Sequence, residues 1–159
     1  MAKAFIMYYS RTGITEKVAL KLAEQLGCDM EKIRDAKDRK GALGFIVSGK
    51  ESVMKQTAEI KPLENDPSAY DIVIIGTPVW ANNMSTPVRA ALKKYKDGFK
   101  KVCFFCTTGG SGIDSTFRRM EELCGKKPEC VLGLRTREVK KDEYQSKLKD
   151  FSGKISASV

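Results

Sequence analysis

Tyr70-Asp71-Ile72-Val73-Ile74-Ile75-Gly76 sets four branched aliphatic residues side by side with no polar residue between them. A strand with one wet face alternates apolar and polar residues, whereas a strand covered on both faces does not. The run therefore predicts a central parallel strand with helices above and below it. Phe5-Ile6-Met7-Tyr8-Tyr9, Val102 to Cys106 and Val131-Leu132-Gly133-Leu134 read the same way, and a weaker stretch around Met30 and Ile33 supplies a further strand.

Helical spacing fills the intervals. Val18, Ala19, Leu22, Ala23 and Leu26 recur on one face, with Gly27 where a C-cap belongs. Thr86-Pro87 reads as a cap followed by proline at the first helical position, ahead of Val88, Ala91, Leu92 and Tyr95. Phe117, Met120, Leu123 and Cys124 precede Gly125, and Tyr144, Leu148, Phe151 and Ile155 mark a final helix. Leu43 to Met54 is interrupted by glycines and reads as a short helix; Glu59 to Leu63 reads as extended, because Pro62 biases its predecessor away from helix. Strand and helix alternate five times. That order predicts an α/β protein, a doubly wound five-stranded parallel sheet with helices on both faces. Its 159 residues suit one domain, 1–159.

Composition removes whole classes of chemistry. The chain has no histidine, so Ser/His/Asp and Cys/His nucleophiles and histidine-bearing zinc sites are excluded. No candidate general acid or base stands out, and any redox chemistry falls to a cofactor. No apolar run approaches the ~20 residues that span a bilayer, so no membrane partner is expected. Met1-Ala2-Lys3 leads into the first strand without a signal-like segment, which reads as cytoplasmic with the five cysteines reduced. Cys103 and Cys106 have the CxxC spacing, but on a strand they face opposite sides, which reads as core filling.

The net charge is +9, from 29 basic and 20 acidic side chains, and favours anionic partners. Lys93, Lys94, Lys96, Lys100, Lys101, Lys126 and Lys127 fall at the amino ends of the strands and read as a solvated rim. Arg118, Arg119, Arg135 and Arg137 follow or flank the other ends, where they serve either solubility or attraction of phosphates. No aromatic interleaving or nucleic-acid motif accompanies these charges, so nucleic acid is not an expected partner.

In an open α/β sheet, ligands sit beyond the carboxyl ends of the strands. That rule selects three loops. Ser10-Arg11-Thr12-Gly13-Ile14-Thr15 offers hydroxyls and N–H groups at the positive end of a helix, a phosphate cradle. An ordinary capped turn would look similar. It has neither the GxxxxGK[ST] nor the GxGxxG spacing. Thr77-Pro78-Val79-Trp80-Ala81-Asn82-Asn83 carries the single tryptophan, which either stacks on a planar ring or packs in the core. Thr107-Thr108-Gly109-Gly110-Ser111-Gly112 lets backbone approach a flat polar edge.

Ser-x-Thr-Gly-x-Thr after the first strand, with Thr-Pro-Val-Trp and a later Thr-Pro, resembles the flavodoxin family along essentially the whole chain. The resemblance implies strand order 2-1-3-4-5 and bound flavin mononucleotide (FMN). Its phosphate would lie on Ser10, Arg11, Thr12, Gly13, Ile14 and Thr15. Its ring would lie between Pro78, Val79, Trp80, Ala81, Asn82 and Asn83 and the loop of Thr107, Thr108, Gly109, Gly110 and Gly112. The implied function is electron transfer with a redox partner protein, expected to be acidic. The alternatives are an NAD(P)H-dependent quinone or flavin reductase and a non-redox module for another phosphate-bearing ligand. A monomer or homodimer suits each.

Three departures bear on that choice. Ile14 stands where such loops often have asparagine. The third loop lacks the aromatic residue that covers the outer ring face in many electron carriers, which leaves room for nicotinamide or quinone. Ala81 stands where carriers often have a glycine whose peptide turns toward the flavin. Alanine resists positive φ, whereas Asn82 and Asn83 tolerate it, so two-electron chemistry is expected. Neutral residues there also imply a less negative potential than that of acidic flavodoxins.

Overall fold

The computed structural model describes residues 3–35 and 59–159. The short helix expected within 43–54 lies outside them. In chain order the elements are β1 (Ala4–Tyr8), α1 (Ile14–Leu26), β2 (Asp29–Lys32), β3 (Ile72–Trp80), β4 (Asn83–Met84) and α2 (Thr86–Tyr95). They continue with β5 (Lys101–Thr108), α3 (Ile113–Cys124), β6 (Val131–Arg135), α4 (Thr136–Lys140) and α5 (Gln145–Ala157).

The sheet runs β2-β1-β3-β5-β6, all parallel, which is the expected five-strand order. β4 is an addition, pairing antiparallel with the far end of β3. Consecutive residues of the central strands go to opposite faces and both faces are covered. Phe5, Met7, Val73, Ile75, Val102 and Phe104 pack under α2 and α3 with Val88, Leu92 and Met120. Ile6, Ile72, Ile74, Cys103 and Phe105 pack under α1, α4 and α5 with Val18, Leu22, Val139, Phe151 and Ile155. Ile72, Val73, Ile74 and Ile75 are all fully buried. At about 1.5–3 kcal/mol for each large aliphatic side chain removed from water, these two layers hold the strand ends in place. The edge strands are different: Asp29-Met30-Glu31-Lys32 buries little, and Val131 is 44% exposed.

Helix ends follow local chemistry. Gly27 and Gly125 take the left-handed conformation and close α1 and α3. α2 is capped by Ser85, whose Oγ accepts from Val88 N–H, so its cap lies one residue earlier than Thr86 and Pro87 is the second helical residue. Ile60 does lie extended, bridging antiparallel to Asp35. α4 is a short helix that no periodicity announces. It ends one turn before α5, whose N-cap is the fully buried Tyr144. Among the described residues no helix is long and apolar enough to cross a membrane.

Candidate functional site at the carboxyl ends of the strands

β1 leads through Tyr9, whose N–H donates to Gly76 O (3.1 Å), into the turn before α1. Ser10 Oγ accepts from Gly13 N–H at 3.0 Å, so Ser10 shapes the turn from inside and is itself buried. Gly13 holds φ +96° as the residue preceding α1, a conformation that disfavours a Cβ. The first N–H groups of α1 have no intrahelical acceptor and point out of the sheet end with the helix dipole behind them. Thr15 is buried in that first turn, and its hydroxyl lies 2.9 Å from that of Thr107 at the end of β5.

The second segment is less a loop than expected. β3 continues through Thr77, Pro78 and Val79 to Trp80 and turns back over two residues, with Trp80 paired to Asn83 and Val79 to Met84. Such a turn calls for positive φ at both central residues, and Ala81 (φ 50°) and Asn82 (φ 61°) supply it. The expectation that alanine would resist is thus overturned, because strand pairing and the hold on Asn82 fix the turn. That hold comes from Ser115 Oγ on α3, which donates to Asn82 O at 2.8 Å. Trp80 is buried and meets Tyr9 edge to face at 5.6 Å, so it packs in the core while one side borders the site.

In the third segment Thr108 Oγ1 accepts from Gly110 N–H (3.1 Å) and donates to Ser111 O (2.9 Å). Gly112 precedes α3 at φ +99°, and a Cβ there would stand 2.9 Å from Asn82 Cα. The hairpin and the third loop therefore interlock at a glycine. Burial pushes the Cys106 thiol beside Thr107 up to about 12, with Asp114 adding to the rise, so it stays protonated and inert.

These segments enclose a cavity of about 420 Å³. Arg11, Thr12, Ile14 and Thr15 line it from the first segment, Pro78, Val79 and Trp80 from the second, and Thr107 and Gly109 from the third. Ser10, Gly13, Ala81, Asn82, Thr108, Gly110 and Gly112 shape the surrounding turns without lining it. Asn83 is turned away into a smaller cleft with Arg89 and Arg119, its Oδ1 accepting from Met84 N–H.

Thr136 and Lys140 of α4 also line the cavity, and no motif pointed to them. The usable signal was position alone, since they directly follow the end of the last strand. α4 is held against α1 by Lys17, whose Nζ donates to Val139 O (3.2 Å) and pairs with Asp142 (2.9 Å). Its own first turn is capped by Glu138, which accepts from Arg135 N–H at 2.9 Å.

The cavity is two-sided in its chemistry. Arg11 and Lys140 bring positive charge, Thr12, Thr15, Thr107 and Thr136 bring hydroxyls, and Ile14, Pro78, Val79 and Trp80 form an apolar wall. No carboxylate lies among the described residues lining it. A larger cavity of about 550 Å³ opens at the other ends of the strands, between Lys3, Cys28, Asp29, Tyr70 and Ile155. Among the described residues no helix N-terminus lines it, and burial raises Cys28 to about 11 and Tyr70 to about 12. Neither is an activated group, so the two-sided cavity is the candidate site.

A doubly wound α/β sheet with a cationic, hydroxyl-rich cavity at the opening of α1, between β1 and β3, is the architecture of a nucleotide-phosphate binder. Residues 3–147 match the family described as flavodoxin, and the chain belongs to that family. A flavoprotein from Lactobacillus acidophilus, solved in complex with FMN, superposes with TM-score 0.72 at 23% identity, covering 89% of this chain and 98% of that one. A protein from Bacteroides uniformis gives 0.72 at 23%, covering 88% and 96%. Oxidised flavodoxin 1 from Bacillus cereus gives 0.57 at 14%, covering 99% of each. At these identities the likeness is one of fold. No curated protein matches the sequence.

Proposed function

We propose that the chain holds FMN non-covalently in the two-sided cavity and works as a cytoplasmic electron-transfer protein. The observation that carries the reading is the pairing, in one cavity, of a phosphate-type donor set with an apolar wall. Family membership and the FMN complex of the Lactobacillus acidophilus flavoprotein support it. The donor set fits the group: cations and hydroxyls beside a helix N-terminus suit a phosphate dianion, and an apolar wall suits a flat ring.

When bound, the flavin ring supplies reversible acceptance of reducing equivalents. The protein's residues do the rest. Arg11, Thr12, Thr15 and the opening N–H groups of α1 bind the phosphate, with Lys140 and Thr136 of α4. Pro78, Val79 and Trp80 exclude water from the ring side, and Trp80 is kept rigid by Tyr9. Thr107, fixed by Thr15, holds the third segment against the cavity. The basic surface suits an acidic partner protein.

A second reading, an NAD(P)H-dependent quinone or flavin reductase, is favoured by one observation. A Cβ added at Gly109 or Gly110 would meet nothing within 4 Å, so open space lies beside the third loop. An anaerobic absorbance time course of the FMN-loaded protein separates the two. Reduction by dithionite but not by NADPH or NADH supports the carrier; rapid bleaching by either nicotinamide nucleotide supports the reductase.

A further inference from the structure

Cys103, on β5, is fully buried, whereas Cys130, one residue before β6, is partly exposed; both are free thiols with their sulfurs 3.3 Å apart. The backbone enforces the approach. Glu129 N–H donates to Val102 O (2.8 Å) and Phe104 N–H donates to Cys130 O (3.2 Å), so residues 129 and 130 lie opposite Cys103. Neighbouring strands run ~4.8 Å apart, and a disulfide needs Cα atoms ~4.4–6.8 Å apart. Closing the bond therefore asks for a small side-chain adjustment and no change of fold. Cys106, three residues along, faces the other side of the sheet by strand alternation.

The two thiols are not equivalent. The hydrogen-bonding contact with Cys103 holds Cys130 below the ordinary thiol value, Lys154 adding to this against burial, Glu129 and Asp150. The same contact and burial push Cys103 up. Cys130 is partly exposed and meets a solute first, whereas Cys103 is fully buried, so the outer sulfur is the nucleophile and the inner one the resolving thiol.

We propose that Cys103 and Cys130 form a reversible dithiol–disulfide couple, a second redox site of this chain, oxidised by hydroperoxides. The Cys130 thiolate attacks a peroxide oxygen; the O–O bond breaks, the leaving hydroxide takes a proton, and Cys130 becomes a sulfenic acid. The Cys103 sulfur then attacks the Cys130 sulfur. The S–O bond breaks, and hydroxide leaves as water with the Cys103 proton. Two thiols lose two electrons and two protons, and hydrogen peroxide becomes two waters. A small dithiol reverses the change by exchange at the partly exposed Cys130 sulfur. The couple sits at the amino ends of the strands and does not depend on what the cavity at the other ends binds.

The test is treatment of the whole protein with hydrogen peroxide, followed by thiol alkylation under denaturing conditions, intact mass and peptide mapping. The expected result is loss of two hydrogens' mass, disappearance of two of the five thiols, and one cross-linked peptide joining Cys103 to Cys130, all restored by dithiothreitol. C130S keeps every remaining thiol free of intramolecular links, and C103S leaves Cys130 to oxidise without a cross-link. Five intact thiols, a link through Cys28, Cys106 or Cys124, a disulfide between chains, or Cys130 sulfinic acid beside a free Cys103 in the unsubstituted protein would each overturn the proposal. The mapping on the unsubstituted protein stands whether or not the variants fold.

Discussion

Thr15, in the first turn of α1, and Thr107, at the end of β5, join their hydroxyls at 2.9 Å across 92 positions of sequence. Both are buried, so the bond fastens the phosphate-type turn to the third loop where water does not compete. Thr15→Val or Thr107→Val leaves the other buried hydroxyl without this partner and lowers stability by about 1–2 kcal/mol. The double variant loses less than the sum, by about 0.5–1.5 kcal/mol. Urea unfolding of the four proteins measures the coupling; strict additivity would mean that the two hydroxyls do not act together.

Gly112 and Gly109 lie in the same loop and respond oppositely to a methyl group. Gly112→Ala places an alanine at φ +99° and its Cβ 2.9 Å from Asn82 Cα, so a loss of about 1–3 kcal/mol is expected. Gly109→Ala meets nothing within 4 Å and changes stability by less than about 0.5 kcal/mol. Thermal midpoints compare them directly. Equal effects would remove the interlock between hairpin and loop.

Arg11 and Lys140 both line the cavity, one from the turn before α1 and the other from α4. Lys140→Gln and Arg11→Gln each weaken FMN binding by about three- to ten-fold at low ionic strength, with the difference shrinking as salt rises. Binding of riboflavin, which has no phosphate, stays unchanged. Fluorescence titrations with both flavins check this, and a parallel loss for riboflavin would assign the two side chains to packing.

Glu138 ties α4 to the end of β6. The Arg135 N–H, then the Lys147 ammonium, hold its carboxyl below the usual carboxylate value. A lowered folded value means that the unfolded chain takes up the proton first. The contribution is therefore complete above the ordinary value of about 4.3 and is lost as pH falls through the folded value. Glu138→Gln lowers stability at neutral pH and flattens the loss of stability as pH falls below the ordinary carboxylate value. Urea midpoints across that range test it; the same slope in both proteins would place the acid sensitivity elsewhere.

The parallel core was legible in the sequence because its strands are buried on both faces. Ile72 to Ile75 and Val102 to Cys106 have no polar alternation to disguise them. Gly27 and Gly125 were legible as helix ends because the left-handed residue that closes a helix is usually glycine. The hairpin after β3 was not. Trp80-Ala81-Asn82-Asn83 lacks the glycine such turns normally show, and the left-handed Ala81 is imposed by strand pairing and by Ser115. Ser85 and Thr86 are both good caps beside a proline, so propensity alone does not choose between them. α4, at five residues, is too short for a periodic signal, and its position comes from Lys17 and Glu138. Lys140 and Thr136 thus reach the cavity through tertiary contacts.

The phosphate-type cavity is tested most directly by titrating the reduced, flavin-free protein into FMN and into riboflavin and following flavin fluorescence. Quenching of FMN at one equivalent, with riboflavin bound about ten-fold or more weakly, is the expected result. Equal affinity for the two flavins, or no quenching of FMN, would contradict the assignment of the α1 turn as a phosphate site and leave the cavity to a ligand other than FMN.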